Sequence, residues 1–230
     1  IAIMLTHDPA AAEQLLTLRS SLHTVLFPLS DVEGKYRTRR FEVLAGRQGT
    51  HTRCLEYGYR FEIDLSEAYF SPRLATERQR IVGLQNEGEH VIDMFAGIGP
   101  FAIVLTRKAG YVLGVDINPA AIRLMVRNLN LNHADNVIPM LADAYHLPDL
   151  VSWTFDRVIM NHPTASIAFL PQGFRLCKPG GSIHLYLIQS YESEALAALQ
   201  DYPVAEITER VVRSYSPGRW HAVYDIRKKS

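Results

Sequence analysis

Apolar and polar positions follow two rhythms along the chain, and the change falls near residue 85. Before it the elements are mixed. Residues 1–5 read as a strand and residues 9–22 as a helix. In "HTRCLEYGYRFEIDL" apolar and polar positions alternate on both sides of Tyr57-Gly58, which predicts a hairpin turning there. Residues 72–84 predict a helix with Pro72 in the first turn, where a missing N–H is tolerated. "QNEGEH" then reads as a linker. From residue 91 the runs "VIDMFA", "YVLGVDI", "NVIPML", "DRVIMN" and "SIHLYLI" are apolar almost throughout. Helices are expected between them over 100–108, 119–131 and 165–177, the last closed by "KPGG". Continuous apolar strands alternating with helices imply a parallel sheet covered on both faces. The tail differs: two strand-like runs flank Ser216-Pro217-Gly218, so the sheet should finish in an antiparallel hairpin. The expected class is α/β, with a small α+β domain over 1–84 and the sheet domain over 85–230.

Composition narrows the picture modestly. A chain of 230 residues, 47% hydrophobic, can bury one large core with a smaller module beside it. Cys54 and Cys177 lie far apart with no CxxC pair, which points away from a disulfide framework or a zinc site and toward a reducing cytoplasm. The opening "IAIMLTHDP" is too short an apolar run for a signal peptide and has no basic leader. No stretch approaches the roughly 18 apolar residues of a membrane helix. With 24 basic and 24 acidic residues there is no global field, so nonspecific coating of nucleic acid is disfavoured. Two local clusters remain: Lys35, Arg37, Arg39 and Arg40, and Arg73, Arg78 and Arg80. Either one, taken alone, reads as solvated charge.

The positions that can carry chemistry sit where the apolar strands end. In "DMFAGIGPFA", Gly97 and Gly99 follow the first strand, where an open parallel sheet binds its ligand. They allow close backbone approach, and the helix N-terminus beyond them favours anionic groups. Asp116 ends the next strand, 19 residues after Gly97, where its carboxylate can accept both hydroxyls of an adenosine ribose. Asp143, after the third strand, can accept from an adenine amino group. Gly97-x-Gly99-x-x-Ala102 also satisfies the relaxed dinucleotide fingerprint, so the glycines alone leave NAD, S-adenosylmethionine and a merely tight turn all open. Two features favour S-adenosylmethionine. Asp93, four residues before Gly97, faces the place of a methionine amino group, and the closing hairpin resembles the finish of a class I methyltransferase. In "VIMNHPTAS", Asn161 ends the fourth strand opposite the glycine loop. Asn161 and Pro163 resemble the N-x-P variant of the (D/N)PP(Y/F) motif, whose amide holds a planar base in nucleic-acid methyltransferases. A capping or turn-forming asparagine is the competing reading.

Five separated stretches, in order, carry a more specific resemblance: "AYFSPRLATERQRI", "VIDMFAGIGPFAI", "GVDINPAAI", "DRVIMNHP" and "SYSPGRWHAVYDI". From about Arg37 to the last residue, the chain resembles the archaeal and eukaryotic tRNA (guanine-37, N1) methyltransferases. The resemblance implies a class I methyltransferase domain, its Rossmann-like seven-stranded sheet joined to a small RNA-facing domain. It implies S-adenosylmethionine as cofactor and the tRNA anticodon stem-loop as partner, with methyl transfer to the base 3′ of the anticodon by a cytoplasmic monomer. The family's extra N-terminal domain, which helps grip the tRNA elbow, is not evident in this sequence.

The same resemblance assigns roles. Guanine N1 carries a proton at neutral pH, so its methylation needs a base; Glu77 resembles that base, and its competing reading is a helix-surface carboxylate paired with Arg73 or Arg80. Arg37 resembles the arginine that offsets charge developing on guanine O6, against phosphate contact or plain solvation. Tyr69 and Phe95 match aromatics near cofactor and base, though core packing explains them equally. Ile117 accompanies Asp116 in the cofactor motif, and Asn161 with Pro163 belongs to the catalytic set. His162 stands where relatives often carry leucine, and His221 reads as structural. Wyosine-pathway relatives remain alternatives, transferring aminocarboxypropyl or methylating carbon 7 of a tricyclic guanine. So does a tRNA-binding protein without catalysis.

Overall fold

A computed structural model describes residues 1–230, which fall into two compact units, Ile1–Pro72 and Arg73–Ser230. In the first unit β1 (Ala2–Ile3) runs parallel to β2 (Thr24–Pro28), which pairs antiparallel with β3 (Phe41–Gly46). Between β1 and β2, α1 (Pro9–Leu18) starts where Asp8 accepts from the Ala11 N–H. It stops short of residue 22 at Arg19-Ser20-Ser21, whose serines compete for backbone hydrogen bonds. β4 (His51–Glu56) and β5 (Tyr59–Asp64) form the expected hairpin. Tyr57 and Gly58 both have positive φ (47° and 90°), the geometry that matches the strands' own twist.

A 3-10 turn (Pro72–Leu74) leads into α2 (Ala75–Leu84), which belongs to the second unit. The boundary therefore lies ahead of this helix, not behind it at residue 84. Burial explains the shift: Ile81 and Val82 are covered, and Glu77 and Arg80 bond to residues of the large sheet. "QNEGEH" is likewise only partly a linker, because β6 (Glu89–Asp93) begins inside it and Glu89 is fixed by a buried Arg157.

The second unit then alternates α3 (Pro100–Leu105), β7 (Ala109–Asp116), α4 (Pro119–Asn132), β8 (Val137–Leu141), α5 (Leu147–Leu150), β9 (Phe155–Met160), α6 (Leu170–Leu176) and β10 (Cys177–Gln189). It ends with α7 (Leu196–Leu199), β11 (Val204–Ser216) and β12 (Arg219–Lys228). The seven-stranded order is β11-β12-β10-β9-β6-β7-β8, with β12 antiparallel to both of its neighbours. The α/β sheet with a closing hairpin is thus as expected. Some elements differ in extent: α3 is shorter, residues 166–169 form a 3-10 turn ahead of α6, and β10 starts earlier, at Cys177. "KPGG" lies within β10, where the register with β9 breaks between Cys177 and Ser182. One face of the sheet (Ile92, Leu113, Val158, Leu185) packs on α5 and α6 through Leu147, Leu170 and Phe174. Each such buried side chain contributes about 1.5–3 kcal/mol.

Candidate active site

The parallel strands deliver their chemistry to one edge. Asp93 ends β6, Asp116 ends β7, Asp143 follows β8 and Asn161 follows β9. Register makes β6 and β9 neighbours here: Asp93 pairs with Ile159, and the Met94 N–H donates to the Ile159 carbonyl at 3.0 Å.

Asp93 is 1% exposed. Its Oδ1 accepts from the Phe95 N–H at 3.3 Å, while its buried Oδ2 has no partner. Burial pushes its carboxyl up to about 7; the Asp116 charge adds to the rise, and the Phe95 N–H and Arg78 oppose it. A buried carboxylate oxygen left unsatisfied is costly unless a cation completes it. Beyond it the chain turns through Gly97 and Gly99, both at positive φ. At Gly99 a Cβ would also lie 2.8 Å from Met125 Cγ, so the loop tolerates no side chain there. Asp116 fastens this loop: Oδ2 accepts from the Gly97 N–H at 2.7 Å and Oδ1 from the Asn118 N–H at 2.8 Å. Burial raises its carboxyl, against the Asn118, Gly97 and Ile117 N–H groups. With three N–H groups on it, the carboxylate keeps about one acceptor direction for a further donor. Asp143 accepts from the Tyr145 N–H at 3.0 Å and so caps the 3-10 turn Ala144–His146.

Asn161 caps nothing. Its Oδ1 is buried without a partner, and the 3-10 turn that follows has Ala165 at its head with no side-chain cap. What shapes the segment is Ser166, fully buried, a residue that sequence reasoning passes over. Its hydroxyl accepts from the His162 N–H at 3.1 Å and can donate to the Met160 or His162 carbonyl, each 2.9 Å away. The Pro163 carbonyl accepts from the Ile188 N–H at 2.9 Å, tying the loop to β10. Phe95 lies edge-on to His162 and Phe169, with centroids 5.2 and 5.1 Å apart, which gives His162 a packing role.

Glu77 sits on the covered side of α2, 6% exposed. It does pair with Arg80, through Nε at 2.8 Å and Nη2 at 2.7 Å, yet not on a solvated surface; Oε1 also accepts from the Tyr186 hydroxyl at 2.8 Å. Three of its roughly four acceptor directions are taken, leaving one on Oε2. Leu185 pairs with Met160, so Tyr186 lies level with Asn161. Two members of the second basic cluster are consequently not solvated charge: Arg78 is 1% exposed, its guanidinium 5.8 Å from the Phe101 ring centre, and Arg80 is held by carboxylates, whereas Arg73 is exposed as expected. In the first unit, Arg37 has a φ of 53° and its guanidinium lies 4.8 Å from the Tyr69 ring centre, a cation–π contact. A non-glycine residue held in the left-handed region is a form of strain that clusters at functional sites.

The fold has counterparts in known proteins. Residues 52–211 match the TRM5/TYW2 methyltransferase domain. The chain belongs to that family. It is 36% identical, over 93% of its length, to the tRNA (guanine(37)-N(1))-methyltransferase Trm5b of Pyrococcus abyssi, and it spans 66% of that protein. A solved complex of aTrm5 with tRNALeu superposes with a TM-score of 0.88 at 33% identity, over 99% of this chain and 69% of that one. The structure of Methanocaldococcus jannaschii TYW2 in complex with AdoMet gives a TM-score of 0.74 at 29% identity, over 92% of this chain and 95% of that one.

Proposed function

We propose that this chain methylates the N1 atom of guanosine 37 in tRNA, with S-adenosylmethionine as methyl donor. The observation that carries the reading is the pair of buried, unpartnered acceptors at the ends of adjacent strands, Asp93 Oδ2 and Asn161 Oδ1. An ammonium group suits the first and the donor edge of a guanine the second. Asp93 holds the methionine amino group, the Gly97–Gly99 loop with Phe95 lines the methionine and ribose, Asp116 with Ile117 takes the ribose hydroxyls, and Asp143 takes the adenine amino group. When bound, S-adenosylmethionine supplies an electrophilic methyl group on a sulfonium. Glu77 accepts the N1 proton at Oε2, and Asn161, its loop stiffened by Pro163 and Ser166, orients the base. Arg37, stacked on Tyr69, supplies positive charge for guanine O6.

The acting species is a monomer, and the partner is the anticodon stem-loop, gripped largely through phosphates. The cytoplasm is the compartment this reading implies. No helix is long and apolar enough to cross a membrane.

Mass spectrometry of nucleosides, after incubating unmodified transcript with S-adenosylmethionine, tests the reading. N1-methylguanosine is expected, and Glu77→Gln should form it about 100-fold more slowly with cofactor affinity unchanged. An aminocarboxypropyl adduct, or no product from protein that binds the cofactor, would overturn it.

A further inference from the structure

Glu77 is one end of a polar chain that runs beneath α2 into the sheet. Arg80, which grips Glu77, also gives Nη1 and Nη2 to Asp225 of β12 at 2.6 and 3.1 Å. Asp225 is the cross-strand partner of His184 on β10, and its Oδ1 lies 2.6 Å from His184 Nδ1. His184 Nε2 lies 2.5 Å from Arg157 Nη1, and Arg157 holds Glu89 at 2.7 and 3.0 Å. Burial pushes the His184 imidazole down, with Arg157 adding to the fall and the Asp225 hydrogen bond opposing it. A neutral ring therefore accepts from Arg157 at Nε2 and donates from Nδ1 to Asp225, because arginine has only donors to offer. Burial also pushes Asp225 upward, but the hydrogen bonds from His184 and Arg80 outweigh it and hold that carboxyl at about 2.

Arg157 and Glu89 cancel. Glu77, Arg80 and Asp225 carry one positive and two negative charges, so Arg80 cannot neutralise both carboxylates. The groups that face Glu77 are Arg80 from its own helix and Tyr186 from β10, with Asp225 and His184 behind Arg80. Arg78, the next residue of the helix, is turned toward Phe101.

We propose that Asp225 and Tyr186 are positioning residues for Glu77: Asp225 draws on Arg80 so that Glu77 stays a competent proton acceptor, and the Tyr186 hydroxyl fixes the direction of its open Oε2. The inference rests on Glu77 being the base. As the methyl group moves to N1, the N1–H bond breaks and its proton passes to Glu77 Oε2. The N1–CH3 bond forms with the electron pair left on nitrogen, and the pair of the broken S–CH3 bond returns to sulfur. The triad then passes from a net charge of minus one to zero, a change that Asp225 favours.

The two residues act on Glu77 in opposite senses, which gives the test its signature. Single-turnover methyl transfer is followed against pH for Asp225→Asn, Tyr186→Phe and Glu77→Gln. In Asp225→Asn, Arg80 serves Glu77 alone; the plateau should fall about 10-fold and the acid limb should move to lower pH. In Tyr186→Phe the carboxylate loses a donor and an anchor, so the rate should fall about 10-fold while the acid limb moves to higher pH. S-adenosylmethionine affinity should stay within about twofold in both. A network that only held α2 in place would lower rates without moving the limbs in opposite directions, and that result would overturn the proposal. Should Asp225→Asn not fold, Tyr186→Phe, which keeps the ring, decides alone. A Glu77→Gln variant as fast as the parent would instead remove the base assignment itself, an outcome separate from the other two.

Discussion

S-adenosylmethionine should bind much more weakly in acid, and Asp93 sets the scale. Its carboxyl is pushed up to about 7 by burial, and its Oδ2 has no partner in the chain; on the proposed reading the cofactor's ammonium supplies one. Once that cation is in place, ionisation is favoured again and the carboxyl returns toward its ordinary range near 3.8. Binding then requires the ionised form, so below about pH 7 the affinity should fall tenfold for each pH unit. Relative to about pH 8, binding at about pH 6 should be roughly 10-fold weaker and at about pH 5 roughly 100-fold weaker, or about 3 kcal/mol. Titration calorimetry across this range, with circular dichroism confirming the fold at each point, measures it. Asp93→Asn should flatten the profile and leave binding weak throughout, because its amide oxygen can still accept but carries no charge. Stability without cofactor should run the opposite way. The unfolded chain gives up this proton near 3.8 and the folded chain keeps it to about 7, so this group's contribution is largest below 3.8 and is lost as pH rises to about 7. An affinity that stays level between about pH 5 and pH 8 in the parent would refute the placement of the ammonium at Asp93.

Asp116→Ala should weaken S-adenosylmethionine binding by about 1.5–3 kcal/mol, the scale of hydrogen bonds to a charged group, and unchanged calorimetric affinity would return Asp116 to a loop fastener. Asn161→Ala should slow single-turnover methylation about 100-fold with little change in melting temperature, since its Oδ1 bonds to nothing in the protein. A lowered melting point with a normal rate would make it a structural residue.

The sheet was legible because its strands are buried on both faces, and a continuous apolar run leaves little doubt about such a strand. Its edge residues were legible for the same reason: Asp93, Asp116 and Asn161 stand where each apolar run stops. What the sequence hid was pairing at a distance. Arg80 and Asp225 lie 145 positions apart, and His184 reads as one polar position in an apolar strand until Asp225 is found across from it. Without those partners Glu77, Arg78 and Arg80 look like a solvated, RNA-facing surface, so α2 falls to the wrong unit. Ser166 gave almost no signal, because a serine that fixes a loop looks like any serine within a loop.

The two carboxylates whose values depart furthest sit in one unit and were moved in opposite directions, and the contrast separates their work. Asp225 accepts from Arg80 at both oxygens and from His184, and it stays ionised throughout the physiological range, so its charge is a fixed feature of the fold. Asp93 is the reverse: buried to the same purpose as a core residue, it keeps an oxygen that nothing in the chain satisfies. A buried acceptor without a partner costs about 1–3 kcal/mol, and more when it is charged. Folding alone gives no return on that cost. A bound cation does, and it does so only at the carboxyl edge of the sheet, beside the asparagine whose oxygen is left open in the same way. The network under α2, satisfied except for the one open direction on Glu77, accordingly reads as the support, and the incomplete pair at the strand ends as the place where, on the proposed reading, cofactor and base complete the structure.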